Sequence, residues 1–215
     1  MTKHAIADCR LYGFIDTAHL AGRDPAALAQ QLIAGGVDII QVRAKKTKQS
    51  ALIKLGKAVV AAAKDTPTLV IINDDIEAAY KTGADGAHLG QEDWTAIPRA
   101  ERHQQLIGLD ILGISTHSLA QAMEAERDGA NYIGVGPIHA TKTKPDRKPV
   151  GLALLHQVSE RVRAPFFAIG GITLQNLDAA LAAGATRVAV VSAILKSEDV
   201  TKAAAEFKKK LTREK

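Results

Sequence analysis

Eight alternating strand–helix units, closed into one α/β barrel domain, are what this 215-residue chain predicts. Three observations carry the expectation. Apolar runs of four or five residues recur along the chain, each ending in turn or cap residues and followed by a stretch of helical spacing. Four triplets, Gly36-Val-Asp, Gly83-Ala-Asp, Gly129-Ala-Asn and Gly184-Ala-Thr, stand where a helix stops and a strand begins. They are 47, 46 and 55 residues apart, about two strand–helix units each. Glycine suits that place because it takes the left-handed helix cap without steric penalty. Finally, 47% of the residues are apolar but only 4% are aromatic, so the core draws on Ala, Val, Ile and Leu. That composition suits helices packed on a parallel sheet. A single-domain (β/α)8 barrel, the TIM barrel, follows; a doubly wound open sheet is the competing architecture.

Taken in order, residues 11–15 form the first strand, and Asp24-Pro25 opens a helix with Pro at its first position. Residues 39–43 are the second strand, followed by a helix over 49–63. The third, Leu69-Val-Ile-Ile72, stops abruptly at Asn73-Asp74-Asp75, poor strand residues but good helix starters. The fourth, 86–89, stops the same way at Gly90-Gln-Glu-Asp93, with a helix expected over about 95–102. Residues 111–114 are the fifth strand, and Ser118 with Gln121 makes a capping box for the next helix. The sixth strand is 132–135, the seventh 166–169 and the eighth 187–191, each with a following helix.

The net charge is +5 and the pI near 9.3, but residues 207–215 hold five Lys or Arg against one Glu. So +4 of the charge lies in that basic helix end, and Lys208-Lys209-Lys210 reads as a solvated last turn. The remaining body is near neutral and lacks a basic stripe with interleaved aromatics, which argues against nucleic acid. No apolar run approaches a membrane span, and the first nine residues lack an apolar signal core. The single cysteine, Cys9, excludes an internal disulfide and a cysteine-based zinc site. A cytoplasmic protein acting on small molecules is expected, with self-association left open.

In such a barrel the active site lies at the carboxyl ends of the strands. Strands three and four both finish in carboxylates, Asp74 and Asp93, which should stand together there. Oxygen ligands set close, with room for water, are what Mg2+ and a phosphate partner require; helix capping is the alternative role for either Asp alone. On strand two, Gln41, Arg43 and Lys45 share one face by period two, and the apolar face meets the helices. Two cations and an amide near two carboxylates make an anion site bridged by metal, as for a diphosphate. Asn73 adds an amide donor and Ser115 a hydroxyl. The connection over 136–149 is long and polar, and its Thr141, Thr143 and Lys144 suit a clamp or lid. Gly170-Gly171 and Val191-Ser192 expose backbone N–H groups after strands seven and eight, the place of a phosphate cup. Two anion sites result, one metal-assisted and one built from backbone. His88 and His139 read as packed or solvated histidines, and His117 as a candidate base.

Read together, these stretches are Gln-x-Arg-x-Lys from Gln41, Ile-Asn-Asp-Asp from Ile72, His-Leu-Gly-Gln-Glu-Asp from His88 and Gly-Ile-Ser-x-His-Ser from Gly113. They continue as Tyr-Ile-Gly-Val-Gly-Pro-Ile from Tyr132, Thr-x-Thr-Lys from Thr141, Gly-Gly-Ile from Gly170 and Val-Ser-Ala-Ile from Val191. The ordered set resembles the thiamine phosphate synthase (thiamine-phosphate pyrophosphorylase) family over most of the chain. The resemblance implies a Mg2+-dependent transferase that joins hydroxymethylpyrimidine diphosphate to a thiazole phosphate carboxylate, yielding thiamine phosphate, diphosphate and CO2. It implies that Gln41, Arg43, Lys45, Asn73, Ser115 and Lys144 hold the pyrimidine diphosphate, with Arg43, Lys45, Ser115 and Lys144 catalytic. Asp74 and Asp93 would hold Mg2+; Thr141, Thr143, Gly171, Val191 and Ser192 would hold the thiazole phosphate. The implied route is dissociative, through a pyrimidine carbocation. His139 and Ala140 depart from the family's aromatic and proline, which bears on the loop's shape. A thiazole tautomerase on the same barrel, or a non-catalytic phosphate-binding barrel, are the other readings.

Overall fold

The computed structural model describes residues 2–45, 47–141 and 147–212, apart from the side chain of His103. Eight parallel strands pair in sequence order and the last returns to the first, so the sheet closes and the open-sheet alternative falls. They are β1 Leu11–Asp16, β2 Ile39–Arg43, β3 Leu69–Asn73, β4 Gly86–Leu89, β5 Ile111–Thr116, β6 Tyr132–Val135, β7 Phe166–Ile169 and β8 Val188–Ala189. Around them lie α1 Pro25–Ala34, α2 Gln49–Ala62, α3 Ile76–Thr82, α4 Gln91–Ala96 and α5 Arg99–Gln105. The ring is completed by α6 Leu119–Arg127, α7 Gly151–Arg161, α8 Leu177–Ala182, α9 Ser192–Leu195 and α10 Val200–Leu211. Among the described residues no helix is long and apolar enough to cross a membrane.

Local chemistry accounts for the element ends. Asp24 caps α1 by accepting from the N–H of Ala27 at 2.8 Å, with Pro25 in the first turn. Ser118 caps α6, but Gln121 reaches back to the N–H of His117 rather than to that of Ser118, so the capping box is displaced by one residue. The helix expected over 95–102 is two helices. Pro98 has no N–H to give and forces Ile97 into an extended conformation, which ends α4 and lets α5 start afresh. β8 is shorter than 187–191, although the N–H of Val190 still donates to Tyr12 at 2.9 Å.

The amino end of the barrel is where the four glycine triplets sit. Gly36, Gly83, Gly129 and Gly184 all have positive φ, between 70° and 95°. In the first three triplets the following polar residue clamps the start of the neighbouring strand. Asp38 accepts from the N–H groups of Arg10 and Leu11 at 2.8 and 2.9 Å, Asp85 from Val70 at 2.7 Å, and Asn131 from Leu112 at 2.8 Å. Each clamp satisfies a strand-end donor that the ladder leaves unpaired. The last basic turn is not simply solvated, as the sequence suggested. The Lys208 ammonium reaches both oxygens of buried Asp38 at 2.5 and 2.6 Å, and Lys210 pairs with Asp178 at 2.8 Å; Lys209 alone is exposed. Phe207 is 1% exposed and α10 packs against α1 and β1, so this end is structural.

Candidate active site

At the carboxyl end the alternation of each strand decides what faces inward. Tyr12, Phe14, Gln41, Arg43, Asn73, His88, Ser115, Tyr132, Phe167 and Ile169 line one cleft, which holds about 920 Å³ of empty space, part of it open to solvent. Glycines hollow it out. A Cβ on Gly113 would run into Tyr132 and His88, and one on Gly134 would stand 3.4 Å from His88. Strands β5 and β6 therefore leave room for the two rings and for the space above them. Tyr12, Tyr132 and Phe167 pack edge-on or tilted with centroids 5.3 to 5.7 Å apart, and Phe14 stacks on Tyr12 at 5.3 Å. This aromatic floor was not anticipated, although inward positions of β1 and β6 follow from the same period-two reasoning.

Five side chains form a continuous hydrogen-bonded row across that floor. The Gln41 amide donates to the Tyr12 hydroxyl at 2.9 Å, which meets the Tyr132 hydroxyl at 2.8 Å. Tyr132 meets Nδ1 of His88 at 3.0 Å, and Nε2 of His88 meets the Ser115 hydroxyl at 2.9 Å. Burial raises the pKa of both phenols, so they remain neutral. His88 is thus packed, as expected, but it is also part of the cleft wall. Ser115 lies within β5 rather than after it, and Gln91 at the start of α4 donates to its carbonyl at 2.6 Å.

Cations and carboxylates meet at the rim over β2, β3 and β4. Arg43 pairs with Asp16, 1% exposed, at 2.7 Å; Asp16 is a residue the sequence reading missed. Lys45 forms an ion pair with Asp74. Asp74 follows β3 with φ +64°, a left-handed conformation unusual outside glycine, and its N–H donates to the backbone carbonyl of His88 at 2.8 Å. Asp93, on α4, lies within hydrogen-bonding reach of Asp74. Burial, then the Asp74 charge, raises its pKa, against an opposing pull from Lys45. Among the described residues no three or more His, Cys, Asp or Glu side chains gather as a metal-binding cluster. Two adjacent carboxylates are nevertheless the donor set that suits Mg2+, which takes one or two carboxylates and fills its remaining positions with water and phosphate oxygens.

The opposite wall belongs to β7 and β8, across the eight-strand ring from β3 and β4. Gly170 and Gly171 have φ +98° and +65°, and both line the cleft with Thr141, Val191 and Ser192. A Cβ on Gly171 would stand 2.7 Å from His139 and from the carbonyl of Ala140, so the glycines also admit the start of the 136–149 connection. His139 donates its backbone N–H to Gly170 at 3.0 Å, while its Nε2 is buried without a partner among the described residues. His117 lines the cleft with Nδ1 against the Gly136 carbonyl, which only accepts, so that nitrogen carries the proton. Thr143 and Lys144 lie outside the described residues.

The family's sequence model, described as thiamine monophosphate synthase, matches residues 11–194. The chain is 44% identical to the thiamine-phosphate synthase of Halalkalibacterium halodurans over 195 residues, 90% of each chain. It is 39% identical to that of Chloroflexus aurantiacus over 205 residues, covering 94% and 93%. Among solved structures it superposes on the thiamine phosphate pyrophosphorylase of Pyrococcus furiosus with TM-score 0.85 and 31% identity, covering 97% and 98%. A closed parallel barrel, an ordered set of cleft residues and relatives matched nearly end to end lead to one assignment: the chain belongs to the thiamine monophosphate synthase family.

Proposed function

We infer that this barrel condenses 4-amino-2-methyl-5-hydroxymethylpyrimidine diphosphate with the phosphate of a carboxylated 4-methyl-5-hydroxyethylthiazole, releasing thiamine phosphate, diphosphate and CO2. The observation that carries the reading is the pairing of two unlike walls across one aromatic floor. Asp74, Asp93, Lys45 and Arg43 stand on one side, and the Gly170-Gly171 and Val191-Ser192 turns on the other. Two anionic substrates need two such anion sites with room for two flat rings between them.

Gln41 and Asn73 hold the pyrimidine diphosphate, and Ser115 donates to it. Arg43, oriented by Asp16, and Lys45 take up the charge that develops as the carbon–oxygen bond breaks. Asp74 and Asp93 would hold Mg2+, which supplies charge neutralisation to the departing diphosphate. The carbocation forms beside a floor of buried, mutually packed rings, which limits the access of water from that side. Gly171, Val191, Ser192, Thr141 and Thr143 hold the thiazole phosphate so that the ring nitrogen faces the electrophilic carbon. Lys144 is assigned to the leaving group by its match to the family's Thr-x-Thr-Lys pattern alone. Lys144→Ala is expected to lower kcat more than it raises KM, because its charge matters most once the bond has broken.

The test is direct. Purified protein with both substrates and Mg2+ should form thiamine phosphate, and a chelator should stop it. No thiamine phosphate under those conditions would overturn the reading; formation unaffected by chelator would overturn the metal alone.

A further inference from the structure

We propose that Tyr12, Tyr132 and His88 are positioning residues of a directional hydrogen-bond relay, which couples recognition of the substrate's ring at Gln41 to the donor that Ser115 presents to the leaving group. The proposal rests on the synthase reading, in which Gln41 and Ser115 hold the same pyrimidine diphosphate. Its basis is a count of hydrogens. A neutral phenol has one hydrogen to give, and a neutral imidazole has one N–H and one acceptor nitrogen.

Start at Gln41, whose amide nitrogen gives a hydrogen to the Tyr12 oxygen at 2.9 Å. The single hydrogen of Tyr12 then goes to Tyr132, and that of Tyr132 to Nδ1 of His88. The imidazole must therefore carry its own hydrogen on Nε2 and give it to the Ser115 oxygen. With that lone pair engaged, the Ser115 hydroxyl is left with its hydrogen to donate into the cleft it lines. Each donation polarises the next, so the last hydroxyl is a stronger donor than an isolated serine.

The same count makes the row reversible as a unit. Were the Gln41 amide turned so that its oxygen faced Tyr12, every hydrogen would run the other way. Ser115 would then spend its hydrogen on His88 and present only lone pairs to a departing oxyanion. In the observed direction the Gln41 oxygen is the group left over for the cleft, and it suits a ring bearing an amino group. An amino-bearing ring thereby holds the amide in the orientation that turns Ser115 towards the diphosphate. A ring presenting an acceptor at that point favours the reverse. Glycine at 113 is what lets the row exist, because a side chain there would displace both Tyr132 and His88.

Tyr132→Phe removes the middle hydroxyl while keeping the ring in the aromatic floor. Thiamine phosphate formation is measured for Tyr132→Phe, for Ser115→Ala and for the double variant, each checked for a cooperative melt. The relay predicts a kcat loss on the order of tenfold for Tyr132→Phe, little change in KM for the thiazole phosphate, and no further loss when Ser115 is already Ala. Losses that multiply would overturn it, because a merely structural tyrosine has no reason to act through Ser115. Tyr12→Phe serves the same purpose if Tyr132→Phe does not fold. Independently of turnover, nitrogen NMR of histidine-labelled wild-type protein should find His88 neutral with its proton on Nε2, and Tyr132→Phe should lose that preference. A wild-type His88 protonated on Nδ1 would overturn the direction. A wild-type protein that makes no thiamine phosphate would instead remove the synthase reading, leaving the tautomer to judge the relay.

Discussion

At the amino end of the barrel Asp38 is 3% exposed, accepts two strand-end N–H groups and is gripped by Lys208. At the carboxyl end Asp74 and Asp93 are set side by side, with Lys45 the cation in contact. The residue type is the same and the environments are opposite. Below, each carboxylate is matched to donors, and the arrangement stabilises the closed sheet. Above, two like charges share a rim where Asp74 is partly buried and Asp93 exposed, one backbone sits at φ +64°, and glycines keep the interior hollow. The barrel thus separates the residues that hold it closed from those to which the proposed function gives a ligand. In the proposed function, the cost of the upper arrangement falls on the unliganded protein and would be offset by a bound cation and diphosphate.

The contrast makes testable claims. The largest effect belongs to the upper carboxylates: Asp74→Asn or Asp93→Asn should cut turnover by about 100- to 1,000-fold. An isosteric amide tests charge rather than shape, so wild-type rates in either variant would remove the metal assignment. Next comes the lower clamp. Asp38→Ala orphans two backbone donors and a partly buried ammonium, a loss of about 3 kcal/mol, while kcat of the folded protein stays within about twofold. Chemical denaturation with kinetics on the same sample checks both; an intact midpoint or a collapsed kcat would blur the division between the ends. Smaller is Gly171→Val. A side chain at φ +65° beside His139 should raise the KM for the thiazole phosphate about tenfold and that for the pyrimidine diphosphate little. Equal shifts for both substrates would mean the two anion sites are one.

How far the chain's residues disclose this depended on distance along it. The strands, the α1 cap, the glycine triplets and the Asp74–Asp93 pair were legible because each is written within a few residues or repeats at a fixed interval. The aromatic floor was not, because it assembles Tyr12, Tyr132 and Phe167 from β1, β6 and β7 and needs the barrel's register. Asp16 carries no local signal, because its partner, Arg43, lies on the neighbouring strand. Lys208 reads as solvated from sequence because its partner Asp38 is 170 residues away. Pro98 is a different case: the break between α4 and α5 is written in the chain at that residue, inside a stretch of otherwise helical spacing.

The measurement that bears most directly on the separation of the two ends is the melting temperature of Asp93→Asn in metal-free buffer at neutral pH, beside wild type. Burial and the Asp74 charge raise the Asp93 pKa, so the folded chain holds that proton more tightly than the unfolded chain does. Its stabilising contribution is therefore complete below the ordinary carboxylate range and lost as pH rises through the raised folded value. At neutral pH the ionised group weighs against the fold, and removing its charge relieves Asp74. The variant is expected to melt at or above the wild-type temperature although it has lost its turnover. A variant that melts well below wild type would show that Asp93 holds the barrel together as Asp38 does, and the division between the two ends would be wrong.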